Sequence, residues 1–359
     1  MSFDIVLVSM RLVVYGPNRL GCLQEDGSIV DLNLAYTALL DRRGLARPYA
    51  HACSHLPADL LGFIKEEPAI RAAEEAVSFV GGGGVEGPQG ERLIFKPGEV
   101  KVRAPLPSFA SRIAMAGANF YDHAAGAYAM IRGVKITVED VKRDVEEGRA
   151  PPWGFWKCAR NVVGPDEPVI YPARTERLDY EVEVAAVFGK KGKDIPEDEA
   201  MDHVFGYTIL NDISARDQAN DRGFFLAKNF DTSAPMGPCI VTADEVGDPH
   251  KLGMRLKING VTRQDGSMRD MIRRFPFWIS YLTRDMTIYP GDIICGGFAL
   301  SMLVPGLVMV LLGVSVTCTG LGPFMVDSFG QGTKTLIEVM AYISGGIPTI
   351  IGSTILVRK

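Results

Sequence analysis

The chain has 359 residues, enough to bury one large core or two smaller ones. Its 38 basic and 43 acidic side chains and 47% hydrophobic content are those of an ordinary globular protein, and a net charge of -5 without any Lys/Arg-rich run excludes nucleic acid as the main partner. Six scattered cysteines without a CxxC pair exclude a zinc framework and fit reduced thiols in the cytoplasm, where the chain is expected.

The opening residues, MSFDIVLVSMRLVVYG, lack the basic, apolar and small-residue pattern of a signal peptide and read as a first strand. LVVYGPNRLGCLQEDGSIVDL predicts hairpin strands with turns at Gly16-Pro17 and Asp26-Gly27. PADLLGFIKEEPAIRAAEEAVSFV spaces its apolar residues as a helix interrupted near Pro68. Residues 1–80 are therefore expected to form a small α/β domain. Residues 81–102, with GGGGVEGPQGE, are expected as a linker before a main domain starting at 103.

Residues 136–148 predict a helix, with a capping box from Thr137 and Asp140 and a stop at Gly148. Its charges read as a solvated face, with a catalytic lid as the alternative. From Tyr180 to Gly320, short apolar strands between turns suggest a rolled or sandwiched β structure. No charged residue lies between Asp292 and Asp327, nor from Val339 to Val357. FALSMLVPGLVMVLLGVSV (298–316) is long enough to span a bilayer, but Pro305 and the absence of flanking basic residues favour buried strands, so no membrane association is expected.

In LDYEVEVAAVFG (178–189), Asp179, Glu181 and Glu183 alternate with apolar residues and share one face of a strand. Taken alone, that face is either exposed and polar or gathered around a cation. HVFGYTILNDISARDQ (203–218) reads as a buried strand ending at Asn211-Asp212, which brings another carboxylate to a strand end. Glu181, Glu183 and Asp212 then supply hard oxygen ligands, a set that suits Mg²⁺, with Mn²⁺ or Ca²⁺ as alternatives, better than zinc.

These segments resemble the fumarylacetoacetate hydrolase superfamily. LDYEVE (178–183), NDISARD (211–217) and AKNFDTSAPMGP (227–238) match its DYExE, NDxxxRD and KxFDxxxPxGP segments. GANFYDHA (117–124) and FWKCARNVVG (155–164) match its GxNYxxHA and FxKxxxxxxG, all in order over residues 103–295. The resemblance implies an α+β, β-rich fold: a mixed β-roll/sandwich catalytic domain over 103–325 behind the small N-terminal α/β domain.

It also implies that Glu181, Glu183 and Asp212 bind the metal and that Lys228 meets a substrate carboxylate or enolate oxygen. His123, taken to lie in a loop, is the implied acid/base. Asn119, Tyr121 and Arg216 are implied at the substrate, although Arg216 pairing with Asp217 on the surface is an equal alternative. The expected substrate is a small anionic oxo acid or dicarbonyl, and the expected assembly is a homodimer. Hydrolysis of a C–C bond is the first reading. A 2-oxo acid decarboxylase, an enol-keto isomerase or a catalytically silent metal-binding homologue are the alternatives.

Two departures qualify it. The family commonly has Glu three residues after the histidine, where this chain has Gly126; Glu139, Glu146 and Glu147 are the nearest acidic substitutes. Phe298-Ala299 stands where the family has a GTP turn. The resemblance fades after about residue 297, which leaves 326–359 as a divergent C-terminal segment.

Overall fold

The computed structural model describes residues 10–66, 68–81, 83–218 and 223–298, and the backbone of 335–343 and 351–358. At the N-terminus, Arg11–Tyr15 and Arg19–Leu23 form a hairpin across the turn at Gly16, and Gly27 turns the chain into Ile29–Asp31. Asp31 caps the helix Leu32–Arg42 by accepting from the Leu34 N–H at 2.8 Å. The interruption at Pro68 separates the helices Leu60–Lys65 and Ala69–Val80. The Thr137/Asp140 capping box starts the helix Val138–Glu146, and Gly148 follows it with φ +71°.

The N-terminal strands do not stand apart. Arg11–Tyr15 pairs antiparallel with Ile240–Thr242, so they extend a sheet that runs on through Val204–Asn211, Val182–Phe188, Ile293–Cys295, Ile113–Ala116 and Gly154–Lys157. The stretch 81–102 contributes pairing of its own: Ile94–Phe95 bonds to Ile29–Asp31, and Val102–Arg103 to Arg11–Tyr15. A second sheet is built from Val261–Ser267, Leu252–Ile258, Thr335–Ile343, Ile351–Arg358 and Pro168–Ile170. The architecture is mixed α+β and rich in sheet.

The strand Val182–Phe188 is buried at every residue. Val182, Val184, Ala186 and Phe188 pack into a cluster that includes Met254 and Leu256 of the second sheet. Ala185 and Val187 pack on the other side with Ile113, Leu210 and Ile240. With core on both faces, this strand has no solvated side, which is why its sequence is nearly continuously apolar.

Two elements differ from the sequence reading. His123 sits in the first turn of the helix Tyr121–Arg132, not in a loop. Within the region read as strands and turns, Phe275–Thr283 is a helix. Its aromatic residues look strand-like, but Pro276 in the first turn pre-sets the helical φ, and Phe275, Trp278 and Ile279 fall on one buried face at helical spacing. No helix among the described residues is long and apolar enough to cross a membrane. The uncharged stretch 299–316 lies outside the described residues.

The N-cap residue of Phe275–Thr283, Arg274, makes no side-chain capping bond. A distant residue does the work instead: buried His250 accepts from the Phe275 N–H through Nε2 at 3.2 Å, while its Nδ1 lies 2.9 Å from Asp248 Oδ1. That acceptor role requires a neutral ring. Burial lowers the His250 pKa below 6.5, against the opposing pull of Asp248. The unfolded chain therefore takes up this proton at higher pH than the folded one, so the contribution is complete above 6.5 and is lost as pH falls below it. Between pH 7 and pH 5, stability measured by urea denaturation should fall, and His250→Gln should flatten that part of the curve. His250→Ala should cost about 0.5–2 kcal/mol at pH 7.5, the range for losing a helix cap.

Candidate metal centre

The strand that begins at Leu178 does not run unbroken. Leu178–Asp179 pairs with Ser214–Ala215, Val182–Phe188 pairs with Val204–Asn211, and Tyr180 and Glu181 lie between the two ladders. At this break the Asp212 N–H donates to the Glu181 carbonyl at 2.7 Å, which brings the two acidic residues face to face. Ligand atoms of Glu181, Glu183 and Asp212 all lie within 4.8 Å of one another. All three residues are buried, Asp212 completely, so the exposed polar face that the alternation also allowed is not what forms.

A buried carboxylate costs several kcal/mol unless charge and hydrogen bonds compensate. Here the compensation is dense. Lys228 Nζ donates to Glu181 Oε2 and Asp212 Oδ2, each at 2.6 Å, and to Ser214 Oγ at 2.7 Å. Lys157 Nζ donates to Asp212 Oδ1 at 2.5 Å and to the Lys228 carbonyl at 2.7 Å. Arg216 bonds Asp179 through Nε at 2.8 Å and also bonds Glu181. It does not pair with Asp217, which instead accepts from Thr175 Oγ1 and the Glu176 N–H.

Three cations thus face four carboxylates, and the carboxylates do not titrate alike. Burial alone would raise Glu181, but Arg216, Lys228 and His123 outweigh it and hold the group well below the usual range. Glu183 goes the other way: burial and then the charges of Asp212 and Glu181 push it well above. Its hydrogen bond comes from the Gly297 N–H, at 2.9 Å to Oε2. Gly297 has φ +90°, and a Cβ there would stand 2.9 Å from that of Asn119, so only glycine brings the amide to this place. The donor set fits a hard divalent cation. It holds three buried carboxylates without sulfur, their ligand atoms within 4.8 Å of one another.

The remaining sequence-derived residues fall into four situations. His123 lies at the edge of the cluster, with Nε2 3.9 Å from Glu181 Oε1 and its ring edge-on to Phe298 at 5.1 Å. Burial lowers its pKa to about 4, against the pull of Glu181, so the ring is neutral at physiological pH. Asn119 spends its amide on the backbone: Nδ2 donates to the Arg273 and Gly296 carbonyls and Oδ1 accepts from the Arg273 N–H. It ties the loops around the site together. Tyr121 opens the helix that carries His123, with the Lys142 ammonium 5.7 Å from its ring. Glu139, Glu146 and Glu147 are exposed on their helix and do not face His123; Glu139 lies beside Lys142, and Glu147 pairs with Arg149.

Lys157 escaped the sequence reading, although it lies inside FWKCARNVVG. The available signal was a single lysine following Phe155 and Trp156 in a short edge strand, which is ambiguous until its partner is known. Lys157→Met should leave Asp212 without one of its buried cations. Urea denaturation of the metal-free protein should show a loss of roughly 3–5 kcal/mol, the range for breaking a buried pair from one side.

Comparison with known proteins adds to this geometry. Residues 112–324 match the family described as fumarylacetoacetate (FAA) hydrolase C-terminal. The chain is 32% identical over 300 residues to the mitochondrial oxaloacetate tautomerase fahd2 of Xenopus laevis, an alignment covering 81% of this chain and 80% of that one. It is 39% identical over 207 residues to oxaloacetate tautomerase YisK of Bacillus subtilis, covering 57% of this chain and 64% of the relative, so it spans just under two thirds of that protein. Among solved structures, a fumarylacetoacetate hydrolase from the psychrophile Exiguobacterium antarcticum superposes with a TM-score of 0.63 at 25% identity, covering 97% of this chain and 99% of the other.

Proposed function

The chain belongs to the fumarylacetoacetate hydrolase family, and from that premise we propose that it is an enol–keto tautomerase of a small 2-oxo dicarboxylic acid of the oxaloacetate type. The observation that carries this reading is the part-buried His123, its Nε2 3.9 Å from Glu181 at the edge of a carboxylate-rich centre, with Gly126 where a glutamate to orient an attacking water would stand and with Glu139, Glu146 and Glu147 exposed. The related tautomerases of Xenopus laevis and Bacillus subtilis support it. Hydrolysis of a C–C bond needs that water; tautomerisation does not.

Glu181, Glu183 and Asp212 would hold a divalent cation, Mg²⁺ or Mn²⁺, whose chemistry when bound is to polarise the substrate's carbonyl oxygen. His123 Nε2 takes the proton from the carbon next to that carbonyl and returns one to the oxygen, or runs the same steps backwards. No atom is gained or lost overall. A ring held neutral by burial is ready to accept the proton. Lys228 is the cation a substrate oxygen meets once the carboxylate oxygens it now bonds are engaged elsewhere. Arg216, fixed by Asp179 and Glu181, adds positive charge at the same rim.

The test is to follow the decay of enol oxaloacetate with and without Mg²⁺ or Mn²⁺, beside a panel of acylpyruvates scored for C–C cleavage. Accelerated, metal-dependent ketonisation is expected; cleavage of an acylpyruvate with no effect on the enol would sink the proposal. His123→Ala should lower turnover by about two to four orders of magnitude, the range for losing a general acid/base. At a cation concentration about a hundred times Kd, the folded state should gain about 2.7 kcal/mol. Glu181→Ala and Asp212→Ala should each lose that gain, as read from the Tm shift.

We also propose a homodimer. Phe109, Trp156 and Phe225 leave large apolar surface exposed on the single chain, with Phe225 78% exposed. Light scattering should give twice the chain mass of 39.0 kDa across micromolar concentrations, and a clean monomer would contradict this.

A further inference from the structure

The two carboxylates of the Leu178–Phe188 segment depend on a stretch of backbone that its own sheet does not hold. Tyr180 and Glu181 fall between two ladders, so the polar groups from Tyr180 to Val182 need partners from elsewhere. Two buried side-chain amides supply them. Asn211 Oδ1 accepts from the Glu181 N–H at 3.0 Å. Gln264 does more: its Nε2 donates to the Tyr180 carbonyl at 2.9 Å, and its Oε1 accepts from the Val182 N–H at 3.2 Å. One side chain therefore grips the backbone on both sides of Glu181.

Gln264 lies on Val261–Ser267, an edge strand of the second sheet, and is 5% exposed. Its reach across to the first sheet is a bidentate peptide-like pairing that stands in for a missing ladder rung. Because it fixes the backbone immediately before Glu183 and around Glu181, it sets where both carboxylates stand relative to Asp212. Backbone groups left unpaired in a buried place are costly, so without the amide the segment would rearrange.

We propose that Gln264 is a positioning residue for the metal-binding carboxylates, fixing Glu181 and Glu183 from the second sheet by bonding the backbone on either side of Glu181. The inference rests on the reading that Glu181, Glu183 and Asp212 hold a divalent cation. Supporting groups of this kind typically set metal affinity by about 10- to 100-fold.

The experiment is calorimetric titration of the full chain with Mn²⁺, alongside urea denaturation without metal. Gln264→Met keeps the length and the apolar packing and removes both hydrogen bonds; its Mn²⁺ affinity should fall by about 10- to 100-fold. Gln264→Glu keeps the acceptor for the Val182 N–H and removes the donor to Tyr180. Its affinity should also fall, by less, even though added negative charge would by itself favour the cation, and it covers the case in which Gln264→Met does not fold. Met254→Ala, in the neighbouring strand of the same sheet and buried, controls for general loosening: it should lose stability and keep its affinity. Wild-type affinity in either folded Gln264 variant, or an equal loss in Met254→Ala, overturns the positioning role. If the wild-type chain itself takes up no Mn²⁺, the reading of the three carboxylates fails as well.

Discussion

Four carboxylates and three cations share one site, all but Asp179 and Arg216 buried, and much of the molecule is arranged to make that tolerable. Asp212 is fully buried and bonded by two lysines; Glu181 is bonded by a lysine and an arginine. Removing any one partner strands a charge in a low-dielectric place, where the penalty is several kcal/mol. The surroundings are fixed accordingly. Lys157 comes from the strand Gly154–Lys157, Lys228 from the short helix Phe224–Lys228, and Arg216 from the turn after Ser214–Ala215. Three separate elements must be in register before the acidic cluster can exist.

The double burial of Val182–Phe188 explains how such a centre can be held still. Its apolar residues lock the strand between two clusters, so the strand cannot twist to relieve repulsion among the carboxylates. The break at Tyr180-Glu181 lets the chain depart from a flat ladder where the acidic residues must converge, and side-chain amides recover the hydrogen bonds lost there. Rigid strand and locally irregular backbone serve one end. The first fixes the direction of Glu183, and the second lets Glu181 meet Asp212.

The imidazole side of the site follows a different logic. His123 is placed by a helix, with the Phe298 ring against it. Gly126, one turn further along the helix, brings no carboxylate, and the glutamates of Val138–Glu146 and the residue after it look to solvent. The His123 Nε2 faces the Glu181 carboxylate on one side while the ring packs on Phe298.

The sequence by itself determined what depends on local periodicity and local turn chemistry. The Gly16 hairpin, the break at Pro68, the Thr137/Asp140 capping box and the buried strand ending at Asn211 could be read because each rests on residues within a few positions of one another. The alternation Asp179, Glu181, Glu183 showed a shared face for the same reason. It could not show whether that face was wet or buried, because burial is decided by what packs from elsewhere. Tertiary structure alone supplied Lys157 as the partner of Asp212, His250 as the cap of Phe275–Thr283, and Gln264 behind Glu181. These contacts span 55, 25 and 82 residues of chain, and no local pattern encodes a hydrogen bond closed at such distance. Phe275–Thr283 was hidden for a related reason: its aromatic composition suits a strand, and Pro276 in the first turn together with packing of Phe275, Trp278 and Ile279 on the core selects the helix.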